Sequence, residues 1–381
     1  MSTPTLTDEQ QMIVDAVTEL AETEFADTAF TWEGDFPWEN LQLLADRGFL
    51  GINFPTAYGG GGLSEFEAML LVESIGRVCP DTAMAVMSTH FVAPRAIYMF
   101  GSEAAKSRYL PPVIEGDEQI AIAISEPQAG SDVAAMTTTA EAEGDGYVLD
   151  GEKTWVTDVP YCTAAVTWVQ FEDGLGTVVV DFDDPGVEIA EHHTNMAGKT
   201  QTQYYLNDVR IDEDDVLVRG RSAFKEQLNA LNWERVGGAV LANSTALCAF
   251  ERTLEYAQDR TQFDQPIGEF QGIQWKLADM ATQIEASRAL TYRTAQRALA
   301  NDRVPDRLDT SLAKLFAAEM VDDIVDEALQ IHGANGFQQG HPIEYLYRRA
   351  RARRIAGGTA EIQRNTIAET ITDDRFDGLA Q

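Results

Sequence analysis

Lysine and cysteine are scarce in this 381-residue chain, and long apolar runs are missing. The three cysteines, Cys79, Cys162 and Cys248, lie far apart and form no C-x-x-C pair, which argues against a disulfide framework or a zinc site and fits a reducing compartment. Nothing approaches the roughly 20 consecutive apolar residues of a membrane span. The stretch Met1 to Asp8 lacks a basic segment followed by an apolar one, so the chain is expected to be cytoplasmic. Basic charge is the deepest deficit: 28 Lys and Arg face 62 Asp and Glu, a formal net charge of −34. Such a surface repels phosphates, so neither nucleic acid nor an anionic membrane is expected as a partner. Lysine is confined to a few sites such as Lys106, Lys153, Lys199 and Lys276. An acidic, lysine-poor surface suits high salt, which screens its self-repulsion, and a halophilic source is expected.

What is present suffices for a large core, since 44% of the residues are hydrophobic. From Asp8 to about Glu115 apolar residues recur at helical spacing, with breaks at Gly34 to Pro37, Gly51 to Gly62 and Pro80. From Gln119 to about Val218 short β-rich runs alternate with turns such as Gly144-Asp145-Gly146. From Ser222 onward long helical periods return around 226–259, 267–299 and 307–332, with shorter ones near 342–354 and 359–371. The expected organisation is an α+β chain, mainly α. An N-terminal helical domain (1–117) precedes a middle antiparallel β domain (118–221) and a C-terminal helical bundle (222–381). This order is not the β-α alternation of a doubly wound sheet, and the Gly59 to Gly62 run reads as a plain connecting loop.

The densest chemical signal is Ala123-Ile-Ser-Glu-Pro-Gln-Ala-Gly-Ser-Asp132, a strand end leading into a Gly-containing loop whose N–H groups and hydroxyls can hold a polar group. Lys153-Thr-Trp-Val-Thr157 places an indole and a hydroxyl two residues apart, on one side of a regular strand. A lone strand tryptophan packs into a core more often than it meets a cofactor. Adjacent His192 and His193 cannot share a face as metal ligands and read as a solvated loop. No metal is expected. His332 and His341 read as structural.

These blocks resemble the acyl-CoA dehydrogenase family. The segment 123–135 is similar to its signature loop, and 153–157 to its flavin-contacting strand. Tyr256-Ala-Gln-Asp-Arg-Thr-Gln-Phe263 with Gln265-Pro-Ile-Gly-Glu-Phe-Gln271 resembles the stretch that reaches a neighbouring subunit's FAD. Gln330-Ile-His-Gly-Ala-Asn-Gly-Phe337, Arg348, Arg349 and Gly357-Gly-Thr-Ala-Glu-Ile-Gln-Arg364 resemble the C-terminal signature. The likeness runs end to end. It implies the family fold: helical domain, β-barrel domain, four-helix bundle.

The resemblance implies FAD as cofactor. Ile122, Ile124 and Ser125 would lie along the flavin, Gly130 and Ser131 near the pyrophosphate and the CoA arm, and Trp155 and Thr157 near the ring. Arg260, Gln262 and Phe263 would serve the partner protomer's FAD, with Arg260 neutralising the pyrophosphate. Gln330, Gly333 and Ala334 would meet the adenosine half, and Thr359 the ribityl region. Glu361 stands where a Gln is common, and Asp158 where an Asn is common. Ser88, His90, Ser131, Asn232 and Arg235 are candidate substrate contacts. For His90 a hydrogen-bonded core role competes.

Many members carry the catalytic Glu directly before the Gly-Thr of the C-terminal signature, where this sequence has Gly357. The isovaleryl-CoA and long-chain branch keeps it at the start of the bundle's first helix, and here Glu234 stands there, in Leu231-Asn-Trp-Glu-Arg235. Without the resemblance, Glu234 reads as a dipole-favoured acid paired with an Arg. With it, Glu234 is the expected base and the Gly357 N–H an expected donor to the thioester carbonyl. Arg235 would orient Glu234, contact CoA or form a surface ion pair. The implied activity is oxidation of an acyl-CoA to a trans-2-enoyl-CoA, in fatty-acid or branched-chain degradation. Electrons would pass to an electron-transfer flavoprotein from a homotetramer. A crotonobetainyl-CoA reductase-like enzyme and a catalytically silent assembly partner are the alternatives.

Overall fold

The structure is a computed structural model that describes residues 6–33, 35–220 and 222–372. By contacts the chain forms two compact units. The first comprises Met1–Thr31, Met69–Met84 and Arg235–Gln381, the second Trp32–Ala68 and Ala85–Glu234.

The leading helical segment holds α1 (Asp8–Leu20), α2 (Trp38–Asp46), α3 (Glu65–Gly76), α4 (Pro80–Phe91), α5 (Ala93–Phe100) and α6 (Glu103–Ile114). Local chemistry sets several of its ends. Thr7 and Gln10 form a reciprocal capping box on α1, and Pro80 opens α4 where its missing N–H costs nothing. The Gly59 to Gly62 run is structural: a Cβ on Gly60 would overlap the Phe54 carbonyl, and one on Gly61 would stand 2.9 Å from that of Ile52.

The middle segment folds into a sheet of β1 (Ile120–Ala123), β2 (Thr139–Glu143), β3 (Gly146–Thr157), β4 (Ala164–Phe171), β5 (Gly174–Asp181), β6 (Val187–Thr194), β7 (Thr200–Asp212) and β8 (Val216–Val218). The pairing path is β6-β7-β3-β2-β4-β5-β8, and β1 pairs with β4 in parallel, Ile122 opposite Val166. The expected antiparallel β domain is observed, with one departure: β1 and β2 both meet β4 in parallel. Parallel pairing needs a long crossover, and the 40 residues from Ile124 to Thr163 supply one. His192 and His193 lie on β6, with His192 Nδ1 2.9 Å from Thr202 Oγ1, which corrects the loop reading. Strand β4 is buried on both faces. Ala165 and Val169 pack into the sheet core, while Ala164 and Val166 face the cluster that includes Ala96 and Ile97 of α5.

The last segment holds α7 (Ala223–Asp259), a two-residue-strand hairpin of β9 (Thr261–Gln262) and β10 (Gln265–Pro266), α8 (Gln271–Ala300), α9 (Arg307–His332), α10 (Pro342–Ala350) and α11 (Ala360–Thr372). The stripe Ala239, Ala242, Ala246 and Ala249 of α7 packs with Met280 and Ile284 of α8 and Val321, Ile324 and Val325 of α9. Residues 69–84 join this unit through buried ion pairs: Arg288 Nη2 lies 2.7 Å from Glu73 Oε1, and Arg349 Nη2 lies 2.8 Å from Asp81 Oδ1. Among the described residues no helix is long and apolar enough to cross a membrane, and no group of three His, Cys, Asp or Glu side chains could hold a metal ion.

Candidate active site

The first turns of α7 place Gln227, Ala230, Leu231 and Glu234 three, four and seven residues apart, so one helix face carries all four. That face lines a cleft in the second unit. Ile122 of β1, Val166 and Trp168 of β4 and Thr177 of β5 form a second wall; Phe91 and Val92, with Ala96 and Phe100 of α5, form a third. Glu234 is the one charged group among the lining residues, and it is half-buried. Its neighbour Trp233 is fully buried, with Phe91 6.1 Å from its ring and the Arg95 guanidinium 5.8 Å over it. Arg95 in turn lies 2.7 Å from the buried Glu65. These contacts fix the Glu234 backbone about three turns into α7, which corrects the expected position at the start of the helix.

Arg235 is 9% exposed, which excludes a solvent-facing surface pair. Its Nε donates to the Gly357 carbonyl at 3.0 Å. Gly357 and Gly358 both have positive φ, 67° and 86°, a turn that favours glycine. Lys314 Nζ donates to the Gly358 carbonyl at 2.7 Å, and Gln363 Nε2 donates to the same oxygen at 3.1 Å. The turn is thus held by its carbonyls.

The signature loop is anchored from below by Glu126. One carboxylate oxygen accepts from Lys153 Nζ at 2.8 Å, Thr138 N at 3.0 Å and Thr138 Oγ1 at 2.5 Å. The other accepts from Thr137 N at 2.6 Å and Gln128 Nε2 at 2.7 Å. Burial pushes this carboxyl up, yet the Lys153 and Thr138 hydrogen bonds outweigh it and take it down to about 2. Thr154 N donates to the Ser125 carbonyl at 2.9 Å, tying loop to strand β3. Sequence reasoning passed over Glu126 because its partners lie up to 27 residues away.

Strand β3 does not run regularly through Trp155. A register shift falls between Lys153 and Val156, and Trp155 sits at φ 60° with its side chain 56% exposed. The simple two-residue alternation expected from Trp155 to Thr157 is therefore interrupted by a bulge, which re-aims the indole outward. Ile124 is half-buried against the Trp168 cluster, and Thr157 and Ser125 are half-buried. Gly130 and Ser131 are exposed, with open space where a Gly130 Cβ would stand.

His90 resolves its two readings. It is fully buried, Nδ1 lies 2.7 Å from the Val86 carbonyl, and Nε2 accepts from Gly51 N at 3.0 Å. Both ring nitrogens are engaged by backbone, which describes the core role; burial takes its pKa down to about 4. Asn232 is 3% exposed and Ser88 half-buried, and neither is among the cleft's lining residues.

Three of the residues assigned to FAD by the resemblance present surface that suits a large, flat, anionic group. In the second unit the indole of Trp155 is presented to solvent. In the first unit Phe263 is 89% exposed at the β9–β10 turn, where it and Asp264 hold positive φ, and Arg260 is exposed at the preceding end of α7. Uncovered aromatic rings are costly surface unless something covers them, and an exposed guanidinium suits a diphosphate. Gln330, Gly333, Ala334 and Glu361 are exposed, and Thr359 is half-buried, its Oγ1 accepting from Ile362 N at 3.3 Å.

Gln227, Trp168 and Thr177 are among the cleft residues that escaped sequence reasoning. The signal for Gln227 was its place seven residues, two helical turns, before Glu234. Trp168 and Thr177 are directly opposite partners on β4 and β5, which sequence reveals only once the strands are paired.

Comparison with known proteins matches three models: acyl-CoA dehydrogenase N-terminal domain over residues 7–117, middle domain over 121–209 and C-terminal domain over 224–372. A 3-sulfinopropanoyl-CoA desulfinase of Advenella mimigardefordensis is 36% identical over 97% of this chain and 94% of its own length. An acryloyl-CoA reductase (NADH) of Anaerotignum propionicum is 33% identical over 96% and 95%. The structure of butyryl-CoA dehydrogenase from Megasphaera elsdenii superposes with TM-score 0.90 at 27% identity, covering 98% of this chain and 100% of that one. A glutaryl-CoA dehydrogenase of Mycobacterium smegmatis, solved in complex with FADH2, gives TM-score 0.89 at 25% identity over 97% and 95%.

Proposed function

The chain belongs to the acyl-CoA dehydrogenase family, which includes flavin-dependent oxidoreductases acting on CH–CH groups, and on that premise we propose that it oxidises an acyl-CoA thioester to the trans-2-enoyl-CoA. The carrying observation is that Glu234 is the single charged group lining an otherwise largely apolar cleft, while position 357 holds no carboxylate. Glu234 accepts the α-proton as general base. The Gly357 N–H donates to the thioester carbonyl, where negative charge develops as the proton leaves, and the carbonyl-side clamp from Arg235 keeps that turn in place. FAD, when bound, supplies the two-electron acceptor for the β-hydride. Ile122, Ile124, Ser125, Trp155 and Thr157 are assigned to its ring, Gly130, Ser131 and Thr359 to its phosphate and ribityl regions, and Gln330, Gly333 and Ala334 to its adenosine. Arg260, Gln262 and Phe263 are assigned to the FAD of a second copy in a homotetramer, which hands its electrons to an electron-transfer flavoprotein.

The relative from Anaerotignum propionicum, a reductase, supports a second reading in which the same site runs towards the saturated thioester. An anaerobic panel of acyl-CoAs separates the two. Bleaching of the FAD-loaded protein by saturated thioesters is the expected result. Bleaching by none of them, with reoxidation of the reduced protein by 2-enoyl-CoAs, would replace the first reading with the second.

A further inference from the structure

Gln227 is 3% exposed, and neither its amide nitrogen nor its amide oxygen has a hydrogen-bond partner among the described residues. It nevertheless lines the cleft, on the same α7 face as Glu234. An amide buried without partners destabilises a fold, and a leucine or methionine there would extend the apolar stripe of Ala230 and Leu231 at no such cost. We propose that Gln227 is a specificity residue that reads a neutral hydrogen-bonding group, a hydroxyl or a carboxamide, carried on the acyl chain. The inference deepens the acyl-CoA reading above and rests on it.

Three features define the ligand's chemistry. The amide offers both a donor and an acceptor, so the matching group must accept and donate. The opposing wall, formed by Phe100, Ile122, Val166 and Trp168, is apolar apart from the Thr177 hydroxyl, so one polar group is recognised within a largely hydrocarbon-lined space. The cleft's lining includes no Lys, Arg or His, and its one charge is the Glu234 carboxylate. An anionic chain end would be desolvated without a cation and repelled by that carboxylate, so the group is neutral. Position follows from the helix: seven residues span roughly 10 Å, which an extended chain covers in about eight bonds from the α-carbon beside Glu234.

The test uses FAD-loaded protein and calorimetry, which needs no turnover. Decanoyl-CoA, 10-hydroxydecanoyl-CoA, the matching ω-carboxamide and the matching ω-carboxylate are titrated into wild type, Gln227→Met and Gln227→Leu. Wild type is expected to bind the hydroxyl or amide chain about tenfold or more tightly over decanoyl-CoA, and both variants to abolish that ratio. Ligand-free Gln227→Met is expected to melt higher than wild type, because a buried unpaired amide is gone. Equal wild-type affinities, a ratio that survives in a folded variant, or preferred binding of the ω-carboxylate would overturn the inference. Should no thioester bleach the flavin, the dehydrogenase reading fails by itself, and the affinity ratio still decides the role of Gln227.

Discussion

Lys153 Nζ lies 2.8 Å from Glu126 Oε1, and their side chains are 0% and 1% exposed. Burial lowers the Lys153 pKa, opposed by its hydrogen bond and charge contact with Glu126. The carboxylate is held besides by Thr137, Thr138 and Gln128, so the pair pins a cofactor-loop candidate to strand β3 with its remaining acceptor sites filled.

Removing one partner leaves a buried charge uncompensated. Lys153→Met is expected to cost about 3–5 kcal/mol in urea unfolding, with FAD retention reduced. A Glu126→Gln/Lys153→Met double variant should recover part of that loss. Equal stability of Lys153→Met and wild type would refute the anchoring role.

Glu234→Gln keeps the shape and removes the base. Flavin reduction by the best acyl-CoA should fall by roughly a hundred- to ten-thousandfold, while the protein stays yellow. Undiminished bleaching in stopped-flow would end the assignment.

His90 gives a pH signature. Its folded pKa is depressed to about 4 from 6.5, so the neutral ring stabilises the fold fully above pH 6.5, and that contribution is lost as pH falls towards 4. The whole contribution is about 3 kcal/mol. Between pH 7 and 5, before most carboxylates titrate, wild type should lose stability faster than His90→Gln, measured as unfolding midpoints.

Gly357 at φ 67° tolerates a side chain poorly. Gly357→Ala is expected to cost about 1–2 kcal/mol. Because the same residue is assigned the thioester donor, its kcat for the best acyl-CoA should fall more than that of Gly48→Ala, at a matched left-handed glycine of φ 74° with open space around it.

The charge excess of 62 acidic over 28 basic residues makes salt a variable. Raising KCl from 0.1 M to 2 M shortens the screening length from about 10 Å to under 3 Å, so the melting temperature should climb steeply across that range. A flat profile would remove the case for a halophilic source.

Much was legible in the sequence because it is local. Helical periodicity placed α7, α8 and α9 within a few residues of their observed ends, and the order helices, sheet, helices follows from where that periodicity stops and resumes. The pairing of Gly357, where many family members carry a Glu, with an acid at Glu234 came from the resemblance to the acyl-CoA dehydrogenase family and not from local pattern. What tertiary structure alone decided is non-local. The parallel docking of β1 on β4 depends on a 40-residue crossover, the bulge at Trp155 on register with β7, and the Glu126–Lys153 pair on the loop after β1 meeting strand β3 in the interior. Sequence names a glutamine at 227 and a histidine at 90. Folding alone gave the histidine two backbone partners and set the glutamine against an apolar wall, because hydrogen-bond satisfaction depends on which distant groups burial brings within reach.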